Sequence, residues 1–237
     1  MFYFDPFMLL LIPPLILMFY AQAKVQGTFQ RYSRRSSSSG VTGAQAARII
    51  LRTSGLDDVQ VEPIEGNLSD HYDPRKRVLR LSAPVYGSPS LSALGVAGHE
   101  AAHAVQDARG YVPLKLRKGI YPVAAFGNNL GPILFMIGMF MMMATGTAGP
   151  LAQKIAMAGI LLFAGGAFFT VVTLPVEFNA SKRALAMLTE RGIVTARERE
   201  DARRVLNAAA LTYVAAAFVA VMMLVRFILL FASARRR

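Results

Sequence analysis

Four stretches of the chain are almost devoid of polar positions, and the pattern changes character between them. Residues 6–23, PFMLLLIPPLILMFYAQA, carry no charge and are long enough to cross a bilayer as a helix. Pro13-Pro14 is expected to kink that helix, which neighbouring helices can tolerate by covering the freed carbonyls. No charge occurs from Gly119 to Gln153, nor between Ile155 and Val176. The break TGTAGP (145–150) divides this region into spans at about 121–145 and 151–174, joined tightly enough to form an antiparallel hairpin. PVEFNASKRALAMLTERG then reads as a separate helix ending at Gly192. Thr195…Glu198 forms a capping box, and its helix continues into a fourth apolar run at about 207–232. Arg226, near the far end of that run, is expected to snorkel outward.

The remaining segments alternate in a different way. RYSRRSSSSG (31–40) is a basic, serine-rich linker. TGAQAARIILRTSG opens with a Thr42…Gln45 capping box and closes at Gly55, which predicts a helix of about three turns. VQVEPI (59–64) and RVLRLS (77–82) read as short strands, with EGNLSDHYDPRK as a polar turn between them. Ser88 with Pro89 at the first helical position predicts a helix that runs to about Ala108 and stops at Gly110.

The fold class expected is a mainly α integral membrane protein: four transmembrane helices with a small α/β portion on one membrane face. The expected parts are a first span (1–23), a catalytic portion (24–118), spans two and three (119–175), a helical segment (176–206), and a fourth span with a basic tail (207–237). Counting crossings puts 24–118 and 176–206 on the same face. Lys24, Arg31, Arg34, Arg35, Lys115, Arg117, Lys118, Lys182, Arg183, Arg203 and Arg204 gather on that side. Lys154 and Arg235–Arg237 lie on the other, so the active side is expected to be cytoplasmic.

Composition narrows the chemistry. Hydrophobic residues make up 54% of the 237, mean hydropathy is +0.40 and charged residues are 17%, too apolar for an ordinary soluble domain. The net charge of +12 therefore reads as attraction to anionic lipid headgroups, and no aromatic-interleaved basic motif points to nucleic acid. With no cysteine there is neither a disulfide framework nor a thiolate metal site, so a transition metal must be held by histidine and carboxylate.

Two of the three histidines lie in GVAGHEAAHAVQ (95–106), inside a predicted helix. Residues four apart on a helix differ by about 40° in azimuth, so His99 and His103 share a face one turn apart, where one Zn²⁺ can take both. Glu100 lies between them in angle, placed to accept a proton from a metal-bound water. The competing reading is an alanine-rich helix that happens to carry two histidines. Its small residues Ala97, Ala101, Ala102 and Ala104 do not suffice to bury two imidazoles. A catalytic zinc needs a third protein ligand, with His71 and a carboxylate as candidates. Glu177, just past the third span and on the same face, is the better of them; the alternative is a boundary carboxylate paired with Lys182 or Arg183. Asn179 and Ser181 can each accept a hydrogen bond from a ligand imidazole.

SDHYDPRKRVLRLS, GVAGHEAAHAVQ and LPVEFNASKRAL together resemble the signature blocks of the YugP-type neutral zinc metallopeptidases, integral membrane proteins found mainly in bacteria. The likeness covers nearly the whole chain, including the spacing of the apolar runs. It implies a gluzincin-like, zincin-like catalytic portion in a bacterial plasma membrane, with one Zn²⁺ held by His99, His103 and Glu177 and Glu100 as general base. The layout is also similar to HtpX-type membrane peptidases, which carry an Asp four residues after the third ligand. Ser181 occupies that position here, with Asn179 as the substitute.

His71 and Tyr72 have two readings: donors to a tetrahedral oxyanion, or members of a plain turn in which Asp70 and Asp73 bond their own backbone. RVLRLS is either a half-buried hairpin strand or a strand to which an extended substrate adds. The function expected is zinc-dependent hydrolysis of peptide bonds in membrane or membrane-proximal proteins. The alternative is a non-catalytic zinc-binding scaffold or a metal-handling carrier. No predicted span has an acid or histidine near its middle, which counts against a carrier. A structural zinc would want a fourth protein ligand, which counts against a scaffold. Oligomeric state leaves no sequence signal.

Overall fold

The computed structural model describes residues 5–146 and 149–235. After a 3-10 segment at Pro6–Leu11, its elements are α1 (Ile12–Ser33), α2 (Gly43–Thr53), β1 (Gln60–Ile64), β2 (His71–Asp73), β3 (Val78–Ser82), α3 (Ala83–Tyr86), α4 (Leu91–Ala108), α5 (Val112–Thr145), α6 (Pro150–Glu190) and α7 (Arg199–Arg235). Four helical stretches, Pro6–Ser33 together with α5, α6 and α7, are long and apolar enough to cross a membrane. The chain divides into two compact units. A membrane unit comprises Met1–Tyr20, Leu116–Leu174 and Tyr213–Arg237; a site unit comprises Ala21–Lys115 and Pro175–Thr212.

Prolines act differently from expectation in both directions. The kink at Pro13-Pro14 does not occur in mid-helix. Asp5 caps the 3-10 segment by accepting from the Phe7 N–H at 2.9 Å, and both prolines then fall in the first turn of α1. A missing N–H has no intrahelical partner to lose there. Conversely, Pro175 does not end a helix: α6 continues unbroken from Pro150 to Glu190, with the expected separate helix fused to the third span. Pro122 and Pro132 likewise sit inside α5.

Within the membrane unit, α5 and α6 run antiparallel with their backbones almost in contact. A Cβ added at Gly159 would stand 2.4 Å from the Phe135 backbone N, and one at Gly138 would stand 2.5 Å from that of Ala156. Only glycine permits this approach, which is how apolar helices gain packing without a hydrophobic drive between them. Phe227 of α7 stacks on Phe135 with ring centroids 4.2 Å apart and meets Phe163 at 5.2 Å. Arg226 does not snorkel outward. Its Nε and Nη2 donate to Asp5 Oδ2 at 2.9 and 2.5 Å, so the first described residue of the chain neutralises the arginine within the unit.

The site unit is built around α4. The Thr42 capping box of α2 is complete, with Thr42 Oγ1 accepting from the Gln45 N–H and Gln45 Oε1 accepting from the Thr42 N–H. The apolar face of α2 packs on α4, and Ile50, Leu79, Leu81, Leu94 and Leu188 are buried together. Ser90, rather than Ser88, caps α4 by accepting from the Ala93 N–H. Gly110, at φ +62°, follows its end.

The sheet has order β1-β3-β2, β3 running parallel to β1 and antiparallel to β2. The stretch expected as a plain turn therefore contains a strand, and the RVLRLS strand is central. Both edges of β3 are already paired, and Leu79 and Leu81 are fully buried. A substrate strand therefore cannot add to it, which leaves the other of the two readings, a strand paired within the sheet. β2 is the edge strand on that side. Asp73 accepts from the backbone N–H of Arg75 and Lys76, as expected of a local turn, whereas Asp70 reaches across to the N–H and hydroxyl of Ser82.

Candidate metal centre

Helical spacing puts His99 and His103 on one face of α4, and the small residues around them let α6 come close. Ala97, Ala101 and Ala102 are fully buried, and a Cβ on Gly98 would touch the Leu188 side chain at 3.0 Å. Glu177, carried by α6, is 1% exposed and His99 9%. His99 Nε2 lies 3.1 Å from Glu177 Oε2 and 3.1 Å from His103 Nε2, and His103 Nε2 lies 3.5 Å from the same carboxylate oxygen.

The donor set fits a zinc ion. Ligands about 2.1 Å from a tetrahedral centre are separated by about 3.4 Å, and the three observed edges bracket that value. The atoms themselves argue the same way. Two imidazole nitrogens and a carboxylate oxygen converge, and at most one hydrogen fits between the two nitrogens. A cation gives all three lone pairs a partner at once. These three residues have ligand atoms within 4.8 Å of one another.

Comparison with known proteins agrees with this donor chemistry. Residues 7–232 match the profile of the family described as "putative neutral zinc metallopeptidase". The chain belongs to this family. The "putative membrane protease YugP" of Bacillus subtilis (strain 168) is 47% identical over 229 residues, covering 97% of this chain and 98% of the relative. No solved structure matches.

Glu100 sits beside the three converging atoms. Its Oε2 accepts from the Tyr72 backbone N–H at 3.1 Å, so edge strand β2 lies against the acid. Burial pushes the Glu100 carboxyl above its ordinary value, opposed by the neighbouring imidazoles. The Tyr72 hydroxyl donates to Asp107 at 3.2 Å, and burial with that carboxylate pushes the phenol up to about 12. His71 Nδ1 lies 2.8 Å from the Ser69 carbonyl oxygen, and the ring is outside the His99–His103–Glu177 group.

Of the two residues expected beside an imidazole, one meets a ring nitrogen and the other does not. Ser181 Oγ stands 3.3 Å from His99 Nδ1. Asn179 does not reach an imidazole; its Oδ1 accepts from Gln106 Nε2 at 3.0 Å and from Arg183 Nε at 2.7 Å. The residue that sequence reasoning passed over is Gln106, whose Oε1 lies 2.9 Å from His103 Nδ1. Its one signal was position: three residues after His103, it lies on the same helix face.

Proposed function

We propose that the protein is a zinc-dependent, membrane-embedded endopeptidase that hydrolyses peptide bonds of membrane or membrane-proximal proteins, with Glu100 as its general base. The observation that carries this reading is the convergence of His99 Nε2, His103 Nε2 and Glu177 Oε2, with the carboxyl of Glu100, held by the Tyr72 N–H, one residue from the first of them. His99, His103 and Glu177 would hold one zinc ion, which when bound makes a coordinated water acidic enough to be deprotonated near neutral pH. A structural zinc would call for a fourth protein ligand, and Glu100 would then have no task.

The residues divide the work among themselves. Glu100 takes the proton of the attacking water and returns it to the leaving amine. The Tyr72 N–H holds the Glu100 carboxylate in place before substrate arrives. Edge strand β2, next to Glu100, offers backbone groups against which an extended peptide can lie. His71, with its Nδ1 at the Ser69 carbonyl, and Tyr72, with its hydroxyl on Asp107, are better placed to shape that strand than to serve an oxyanion. The spread of basic residues supports a site on the cytoplasmic side, at the membrane surface, with segments 24–118 and 176–206 on that one face.

Glu100→Gln tests the reading. The purified variant should retain zinc while cleavage of a reporter protein falls by about 10²–10⁴-fold, the contribution expected of a general base. Cleavage persisting at the parent rate in a zinc-loaded Glu100→Gln protein would leave the non-catalytic scaffold as the better account.

A further inference from the structure

We infer that Gln106 is a positioning residue: one buried amide dictates which nitrogen of His103 is presented to the metal and anchors the turn of α6 that carries Glu177. This rests on the zinc reading and extends it to a residue outside the ligand set. Gln106 is fully buried at 0% exposure, one turn beyond His103. Burying a primary amide is unfavourable unless its polar atoms find partners, and here they do. Nε2 donates to the Val176 carbonyl oxygen at 2.9 Å and to Asn179 Oδ1 at 3.0 Å; Oε1 faces His103 Nδ1 at 2.9 Å.

The polarity of each contact follows from the one before it. A backbone carbonyl only accepts, so the NH₂ end of Gln106 must face Val176, and the amide oxygen must then face His103. That oxygen also only accepts, so a neutral His103 carries its hydrogen on Nδ1 and its lone pair on Nε2. Nε2 is the nitrogen that faces His99 and Glu177. Arg183 enforces the same order from the far side, because its Nε–H can only donate and so fixes the oxygen of Asn179 toward Gln106. The other ligand lacks this device: a serine hydroxyl donates or accepts, so Ser181 leaves the His99 tautomer free. The second half of the clamp acts through the backbone. Val176 directly precedes Glu177, so its carbonyl bond to Gln106 ties the height of the carboxylate on α6 to that of His103 on α4.

With three histidines in the chain, ¹⁵N-histidine labelling yields three imidazole spin systems, from which the tautomers are read directly. In the folded parent, with or without zinc, His103 should be protonated on Nδ1. Gln106→Met, close in shape but with no oxygen for Nδ1, should lose that preference. Its zinc affinity, measured against a competing chelator, should fall by about 10–100-fold, as when a hydrogen-bond partner of a ligand imidazole is removed. Gln106→Glu keeps the acceptor for Nδ1 but not the donors to Val176 and Asn179. It should keep the tautomer and bind zinc with an affinity between those of the parent and Gln106→Met. A folded Gln106→Met protein with parental zinc affinity overturns the proposal. So does Gln106→Glu binding no better than Gln106→Met, or a parent His103 protonated on Nε2, which needs no variant to fold. A parent that binds no zinc defeats the function proposed above, while the metal-free tautomer still decides this one.

Discussion

Each of the two units buries a charged assembly, and the two are put together on opposite principles. In the membrane unit Asp5 and Arg226 form one acid and one base in direct contact, their side chains 17% and 20% exposed. Donor meets acceptor, and the pair is complete as it stands. In the site unit His99, His103 and Glu177 aim three lone pairs at one point. No arginine or lysine stands in that trio as Arg226 stands beside Asp5. The first arrangement needs only to be left alone; the second has the donor set and spacing that fit a cation. Buried polarity in this chain therefore has two meanings, separable by asking whether the groups satisfy one another.

The sharpest way to break the contrast is Glu177→Ala. Removing one of three converging bases should reduce zinc in the purified protein to near background and abolish cleavage, whereas Asp5→Asn should leave zinc content at the parental level. Unchanged metal in the Glu177 variant would show that the trio is not a cation site. A second effect lies in stability. Asp5→Asn leaves a partly buried guanidinium without its carboxylate, which is expected to cost about 1–3 kcal/mol, while the double exchange Asp5→Leu with Arg226→Met should recover most of it. Thermal melting in detergent reads both. If the single variant melts with the parent, the ion pair is ornamental. Gly159→Leu should come next, at about 1–3 kcal/mol for overpacking where the added Cβ meets the Phe135 backbone. Zinc content per folded chain should not move, because the collision lies wholly in the membrane unit.

The smallest effect concerns a carboxylate outside both assemblies. Burial pushes Glu198 up, but the backbone N–H groups of Thr195 and Ser38 outweigh it and hold the carboxyl down at about 2, against an ordinary value of 4.5. A depressed carboxylate stabilises above its unfolded pKa, and that contribution fades as pH falls from about 4.5 toward 2. Glu198→Gln should lower stability most at neutral pH, where the carboxylate contributes fully, and flatten the profile between about 4.5 and 2. An unaltered acid limb would assign the local acid sensitivity to other groups.

Much of this was legible beforehand because it is local. The Thr42 and Thr195 caps, the glycine stop after α4 and the four apolar runs each announce themselves within a few residues. What was hidden depends on partners far away in sequence or on bonds without a compositional mark. β2 is three residues of mixed polarity whose strand character comes only from pairing with β3. Arg226 looked like an outward-reaching cation because its partner, Asp5, stands at the other end of the chain. Pro175 looked like a terminus, yet a long apolar helix absorbed the lost hydrogen bond. Of the converging trio, His99 and His103 follow from helical spacing, and Glu177 was put forward by counting spans. Gln106 escaped because an amide has no chemical signature until its neighbours are known.

The parallel pairing of β1 with β3 obliges the chain to travel back the length of the sheet before it can continue, and residues 65–77 make that journey, with Leu68 and Arg77 at φ +55° and +52°. β2 lies on the return path. To anyone choosing where to insert a tag or a fluorescent domain, this polar, partly exposed segment looks like the safest place in the site unit. It is the least forgiving. Shortening or interrupting it would remove the connection that lets β1 and β3 run in the same direction, and with it the backbone N–H that steadies Glu100. An epitope tag there should silence the protein.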